Sequence, residues 1–165
     1  MRLQIRIVFA FIAAVCASLL AYGIYYLQEE LGLEPCPMCI LQRYALIAVG
    51  VTALAAAIHG PRAWGLWIYS GLVTAFSLAG GGIAARHSYL QHFPPKVETC
   101  GSDLDFLLNN FPLTQSLPKI FAGTGSCSRV DWKFLGLSIP EWTIVWFAIF
   151  AALALWAAIA NRRRK

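Results

Sequence analysis

Five cysteines and one deeply placed arginine carry most of the chemistry available to this sequence. Cys36 and Cys39 form a C-x-x-C unit, Cys36-Pro37-Met38-Cys39, at the mouth of a strongly apolar run. Two cysteines at that spacing on a first helical turn can close a small, strained and reducible disulfide. Pro37 suits such a turn, where its missing N–H costs no hydrogen bond. The positive end of a helix also favours a thiolate, so a cysteine there is expected to ionise readily. Arg43 follows Cys39 by four residues, on the same helical face and one turn deeper. A guanidinium at that depth is costly and is usually kept for a partner. It can stabilise a Cys39 thiolate or a polar ligand beside it. The alternative is that its long stem snorkels to the interface.

The other cysteines are spaced differently. Cys100 and Cys127 are too far apart for a second C-x-x-C and read as a loop-closing disulfide. Such a bridge can be purely structural. Beside another dithiol on the same membrane face, it can also exchange disulfides. Cys16 is alone in an apolar run and reads as a small filler. A zinc site built from the other four cysteines is a rival, but structural zinc ribbons usually carry two C-x-x-C knuckles and this chain has one. No metal is therefore expected. His87, next to Arg86, can donate a hydrogen bond or move protons, or can simply be a solvated interfacial residue. His59 and His92 read as ordinary loop residues.

The elements that must position these side chains are membrane helices. The 165 residues are 59% hydrophobic and 13% charged, with a mean hydropathy of +0.63. That leaves too little polar surface to coat a water-soluble globule. Four runs reach the ~20 residues needed to cross a bilayer, at about 7–27, 40–58, 64–85 and 142–160. In lipid they must be helical, because a helix satisfies its own backbone hydrogen bonds. Gly80, Gly81 and Gly82 would let neighbouring helices approach closely. Trp64, Trp67, Trp142 and Trp146 lie near run ends, as interface anchors do. The fold class expected is an all-α membrane protein, a four-transmembrane-helix bundle forming one domain. The basic start and long first run fit an uncleaved helix better than a signal peptide.

Charge sets the expected topology. With four spans both termini share one side, which carries Arg2, Arg6, Arg62, Arg162, Arg163, Arg164 and Lys165 and no acids. The other side holds all 8 acidic residues with the remaining basic ones. The positive-inside rule makes both termini cytoplasmic. A short loop at about 28–39 and a long one at about 86–141 then face outward, with four of the five cysteines on the side where disulfides persist. The net charge of +5 needs no nucleic-acid partner, since a basic tail that sets topology and touches anionic lipid accounts for it. Within the long loop Leu104, Leu107, Leu108 and Phe111 recur at helical spacing, ahead of Pro112. That suits a short helix lying in the headgroup region or packed on the bundle.

Together these residues resemble the disulfide bond formation protein B (DsbB) family of bacterial inner membranes. The resemblance rests on Glu34-Pro35-Cys36-Pro37-Met38-Cys39-Ile40-Leu41-Gln42-Arg43, on His87-Ser88-Tyr89-Leu90-Gln91, and on Trp132-Lys133-Phe134-Leu135-Gly136-Leu137-Ser138-Ile139-Pro140-Glu141-Trp142 after the later cysteine pair. It covers nearly the whole chain. It implies a protein-dithiol:quinone oxidoreductase with two periplasmic loops. Cys36 and Cys39 match the quinone-proximal pair, with Cys39 at the quinone ring, Arg43 as its supporting cation and His87 near the quinone. Cys100 and Cys127 match the pair that meets a soluble oxidase of the disulfide bond formation protein A (DsbA) type. The implied electron acceptor is ubiquinone or menaquinone. Gln42 departs from the acid common at that position, and the Pro-Met interior of the C-x-x-C bears on redox potential. A membrane scaffold with structural disulfides, or a relative serving a dedicated oxidase, would share much of this pattern.

Overall fold

The computed structural model describes residues 2–33, 35–61, 64–94, 127, 130 and 132–162. Cys100, the apolar stripe from Leu104 to Phe111 and the last three basic residues lie outside them. The described part is mostly helical, with four helices long and apolar enough to span a membrane. Helix α1 covers Arg2–Ala21 and continues as a π-helical segment over Tyr22–Glu30. Helix α2 covers Pro37–His59, α3 covers Trp64–His92, and α4 covers Ile139–Arg162. Two short antiparallel strands, β1 (Lys133–Phe134) and β2 (Leu137–Ser138), form a hairpin just before α4.

Every helix outruns the apolar stretch that announces it. Hydropathy reads the depth of the hydrocarbon, whereas a helix keeps its hydrogen bonds into the headgroup region and beyond. The third run ends at about 85, yet α3 continues to His92. His87 is thus a residue of that helix, and His59 and His92 are the last residues of α2 and α3 rather than loop residues. The first run is followed by Gln28, Glu29 and Glu30, which complete the π-helical segment instead of opening a loop.

Local rules explain the helix ends. Cys36 is the N-cap of α2: its backbone is extended and its Sγ accepts from the Cys39 N–H at 3.3 Å. Pro37 takes the first helical position. Gly60 closes the far end of α2 at φ 56°, a left-handed conformation that suits glycine. Arg6 of α1 reaches across to donate to Ala57 O at 2.8 Å, placing a cation at the negative end of α2. Glu141, in the first turn of α4, accepts from the Ser138 backbone N–H at 2.7 Å and from the Ser138 hydroxyl at 3.1 Å, a variant of the reciprocal capping box.

The helices pack in sequence order, α1 on α2, α2 on α3 and α3 on α4, and α4 touches α1. The main core gathers Phe9, Ile12, Val49, Leu66, Phe147 and Phe150. Small residues set the spacing. Cys16 fills the core opposite Gly50, where an added Cβ would meet Cys16 Cβ at 3.1 Å. A second, smaller buried cluster lies at the N-terminal end of α2 and contains Cys36, Met38, Leu90 and Cys127. The end of α2 that holds the C-x-x-C therefore has a core of its own.

Candidate functional site

That second cluster opens onto a cavity of about 440 Å³. Its wall is mostly apolar, with Leu19, Leu27, Leu46 and Trp146 among the lining residues. The polar groups on it are few: Cys36, Cys39, Gln42, Arg43, His87 and Gln91 stand out. An apolar cleft with a small set of polar groups on its wall is the usual form of a small-molecule site. Trp132, Phe134 and Trp142 form the side next to the hairpin.

Helix α2 delivers most of the chemistry. The N-cap and the third helical residue of one turn bring Cys36 Sγ and Cys39 Sγ within 2.7 Å of each other. Cys127 lies against Cys36 in the same buried cluster. Hydrogen bonds with the Cys127 and Cys39 side chains, then burial, hold the Cys36 thiol above the ordinary thiol range. The dipole of α2 acts on Cys36, but the neighbouring sulfurs and the lack of water outweigh it.

Arg43 sits one turn below Cys39, as the four-residue spacing requires. Its guanidinium donates to Gln28 Oε1 at 2.9 Å and to Gly23 O at 3.1 Å. Both acceptors belong to the π-helical segment after α1. In a π-helix the hydrogen bonds run from i to i+5, and such segments often mark functional positions. Here the segment turns a backbone carbonyl and an amide oxygen towards the cation. Arg43 is thus held by the first helix rather than snorkelling freely.

His87 reaches the same cluster from α3 and is 3% exposed. Its Nε2 is 3.6 Å from Cys36 Sγ and its Nδ1 is 3.0 Å from Gln42 Nε2. The ring also hydrogen-bonds to the backbone of Cys127. So Cys36, Cys39, Cys127, Arg43 and His87, five of the six residues singled out by sequence, share one neighbourhood. Cys100, the sixth, lies outside the described residues.

Three residues on the wall carried no assignment in the sequence. In the sequence Gln42 stands out only as an unusual residue beside Arg43, although a buried amide inside an apolar helix is itself a signal of a specific partner. Trp132 and Phe134 stack at 5.9 Å between ring centroids, and Phe134 packs on Trp142 at 6.1 Å. The Trp142 indole donates to Phe134 O at 3.0 Å, so this tryptophan braces the hairpin as well as meeting the cavity.

Metal chemistry fits this placement poorly. The ligand atoms of Cys36, Cys39 and His87 all lie within 4.8 Å of one another. Two sulfurs at ~2.3 Å from a tetrahedral zinc stand about 3.8 Å apart, whereas these are at 2.7 Å.

Known proteins give a concordant picture. The family model "Disulfide bond formation protein DsbB" matches residues 5–157. A disulfide bond formation protein B of Azoarcus sp. is 50% identical over 159 residues, covering 96% of this chain and 95% of that protein. Its counterpart in Aromatoleum aromaticum is 49% identical over 158 residues, covering 96% and 94%. One from Methylococcus capsulatus is 47% identical over 141 residues, covering 85% of each. The family match spans both arms of the site, from the C-x-x-C turn to the hairpin, and the chain belongs to the disulfide bond formation protein DsbB family.

Proposed function

We propose that this protein oxidises the dithiol of a soluble periplasmic DsbA-type oxidase and passes the electrons to a membrane quinone. The observation that carries the reading is the cavity: a largely apolar space whose wall includes Cys39, Cys36 and a fixed guanidinium. A lipid-soluble ring with polar oxygens suits such a space, and ubiquinone and menaquinone both have that form. The chain lies in the bacterial inner membrane with both termini cytoplasmic, an orientation supported by the basic residues of the terminal side.

The cycle is an exchange of thiolates and disulfides. The partner's thiolate attacks Cys100 of the Cys100–Cys127 disulfide and releases Cys127. Cys127 attacks Cys36 of the Cys36–Cys39 disulfide and releases Cys39 as a thiolate, which Arg43 stabilises one helical turn away. The partner's second thiol cleaves its bond to Cys100, leaving oxidised. Cys100 then attacks Cys127, which restores the first disulfide and frees Cys36. Cys36 and Cys39 now hold two electrons, and giving them up re-forms their disulfide. A bound quinone supplies the sink, taking two electrons and two protons to become quinol. A Cys36–Cys39 pair in contact with Cys127 on one side and the cavity on the other supports exchange along this route.

The test is direct. Purified protein is mixed with a reduced DsbA-type oxidase and either ubiquinone or menaquinone, and quinone absorbance is followed. Quinone consumption that stops in Cys39→Ser is expected. Equal consumption by that variant would refute the assignment. Thiol-independent behaviour with both quinones would favour a structural role for the cysteines.

A further inference from the structure

We propose that Gln42 is a positioning residue that presents the Nε2–H of His87 to the Cys36 sulfur. The inference rests on the disulfide-exchange reading above and gives His87 a role at Cys36.

The amide comes first. Gln42 is 6% exposed, in the interior of α2, where an unbonded amide would be costly. Its Nε2 stands 3.0 Å from Nδ1 of His87. An amide nitrogen can only donate, so Nδ1 must accept and carries a lone pair. In a neutral imidazole the proton then sits on Nε2. That atom is 3.6 Å from Cys36 Sγ, within hydrogen-bond range for sulfur. The chain Gln42, His87, Cys36 therefore runs in one direction, with the Nε2–H shared between the Cys36 sulfur and the backbone of Cys127. Three elements converge here: Cys36, Cys39, Gln42 and Arg43 come from the α2 end, His87 from α3, and Cys127 from the segment before the hairpin.

The need for a donor follows from the exchange itself. When Cys100 attacks Cys127, the Cys127–Cys36 bond breaks and its electron pair stays on Cys36. Arg43 lies a turn beyond Cys39, and the surroundings of Cys36 disfavour a negative sulfur. A fixed N–H aimed at that sulfur offsets the cost. A neutral ring donates a hydrogen bond here and keeps its proton, so no further acid or base is required. The two sulfurs would have separate supports, Arg43 for Cys39 and His87 for Cys36.

Gln42→Glu tests the direction of the chain. A carboxylate can only accept, so it draws a proton onto Nδ1. Gln42→Leu removes the bond without imposing the opposite one. With ¹⁵N-labelled histidine, and His87→Gln to identify the signal, wild-type His87 is expected as the neutral Nε2–H form. Gln42→Glu is expected to carry a proton on Nδ1, and Gln42→Leu to lose the fixed tautomer.

The functional readout is the alkylation rate of Cys36 in the dithiol protein, measured by mass spectrometry at fixed pH. Loss of one hydrogen bond to a charged sulfur is expected to slow it about tenfold in Gln42→Leu. His87→Gln should slow it equally, and the double variant should add nothing further. Neither measurement requires a quinone, so both stand if the quinone assay fails. A wild-type His87 protonated only on Nδ1, or an alkylation rate unchanged in Gln42→Leu, would overturn the proposal.

Discussion

The ring of Phe147 occupies the space that a side chain on Gly80 would need. Of the three consecutive glycines only Gly80 is pressed this closely, because Gly81 next to it leaves 3.7 Å to Phe147 Cβ and Gly82 meets nothing within 4 Å. Gly80→Ala should therefore lower stability by about 1–3 kcal/mol through overpacking. Gly82→Ala should leave it unchanged or slightly raised. Thermal unfolding of the two variants in detergent makes the comparison, and equal melting temperatures would remove the contact from any account of the packing.

Arg43→Lys is expected to separate charge from geometry. A lysine keeps the cation but lacks the planar fork that spans Gln28 Oε1 and Gly23 O. We expect a several-fold rise in KM for quinone in Arg43→Lys. In Arg43→Met we expect a loss of about 10- to 100-fold in kcat/KM, the scale of one hydrogen bond to a charged group. Steady-state quinone reduction reads both. A Lys variant as poor as the Met variant would make the fork matter more than the charge.

The raised pKa of Cys36 gives the dithiol protein a definite pH dependence. A group that holds its proton more tightly when folded adds stability at pH values below the ordinary thiol pKa of about 8.5. That contribution fades as pH rises above it. The melting temperature of the dithiol form should fall above that point, more steeply than in Cys36→Ala. Parallel curves for the two proteins would contradict the sign.

Leu135 stores strain at the tip of the hairpin. It adopts φ 52° and Gly136 adopts φ 84°, the positive pair of a two-residue turn that favours Asn-Gly. A left-handed conformation costs an ordinary side chain about 1–2 kcal/mol, and Leu135 is 79% exposed, so packing does little to repay it. Leu135→Asn should raise stability by roughly 1 kcal/mol on that scale. A melting temperature that stays level or drops would mean that the leucine side chain makes compensating contacts.

What the sequence made legible follows what local rules govern. Pro37 and the C-x-x-C spacing foretell a helix beginning at that proline, and α2 begins there. The four-residue offset foretells Arg43 below Cys39. Hydropathy finds the four spans but stops short of their ends, so His87 reads as a residue beyond α3 when it is buried within it. Its pairing with Gln42 depends on how α2 and α3 are rotated about their axes, which periodicity alone does not fix. The π-helical segment is also hidden, since Tyr22 to Glu30 carries no proline or run of glycines to mark a change of winding. The hairpin lacks the Asn-Gly signal because Leu135 stands in its place.

Arg43 is bound by two neutral oxygens, and among the described residues no carboxylate forms an ion pair with it. Among those residues its charge is anchored without being cancelled. Mobile ions damp such a field over about 8 Å in physiological saline, but they have little reason to enter a space whose wall is mostly apolar. The cavity should accordingly behave as a standing positive electrode whose pull on electron-rich occupants is nearly indifferent to the salinity of the surrounding fluid.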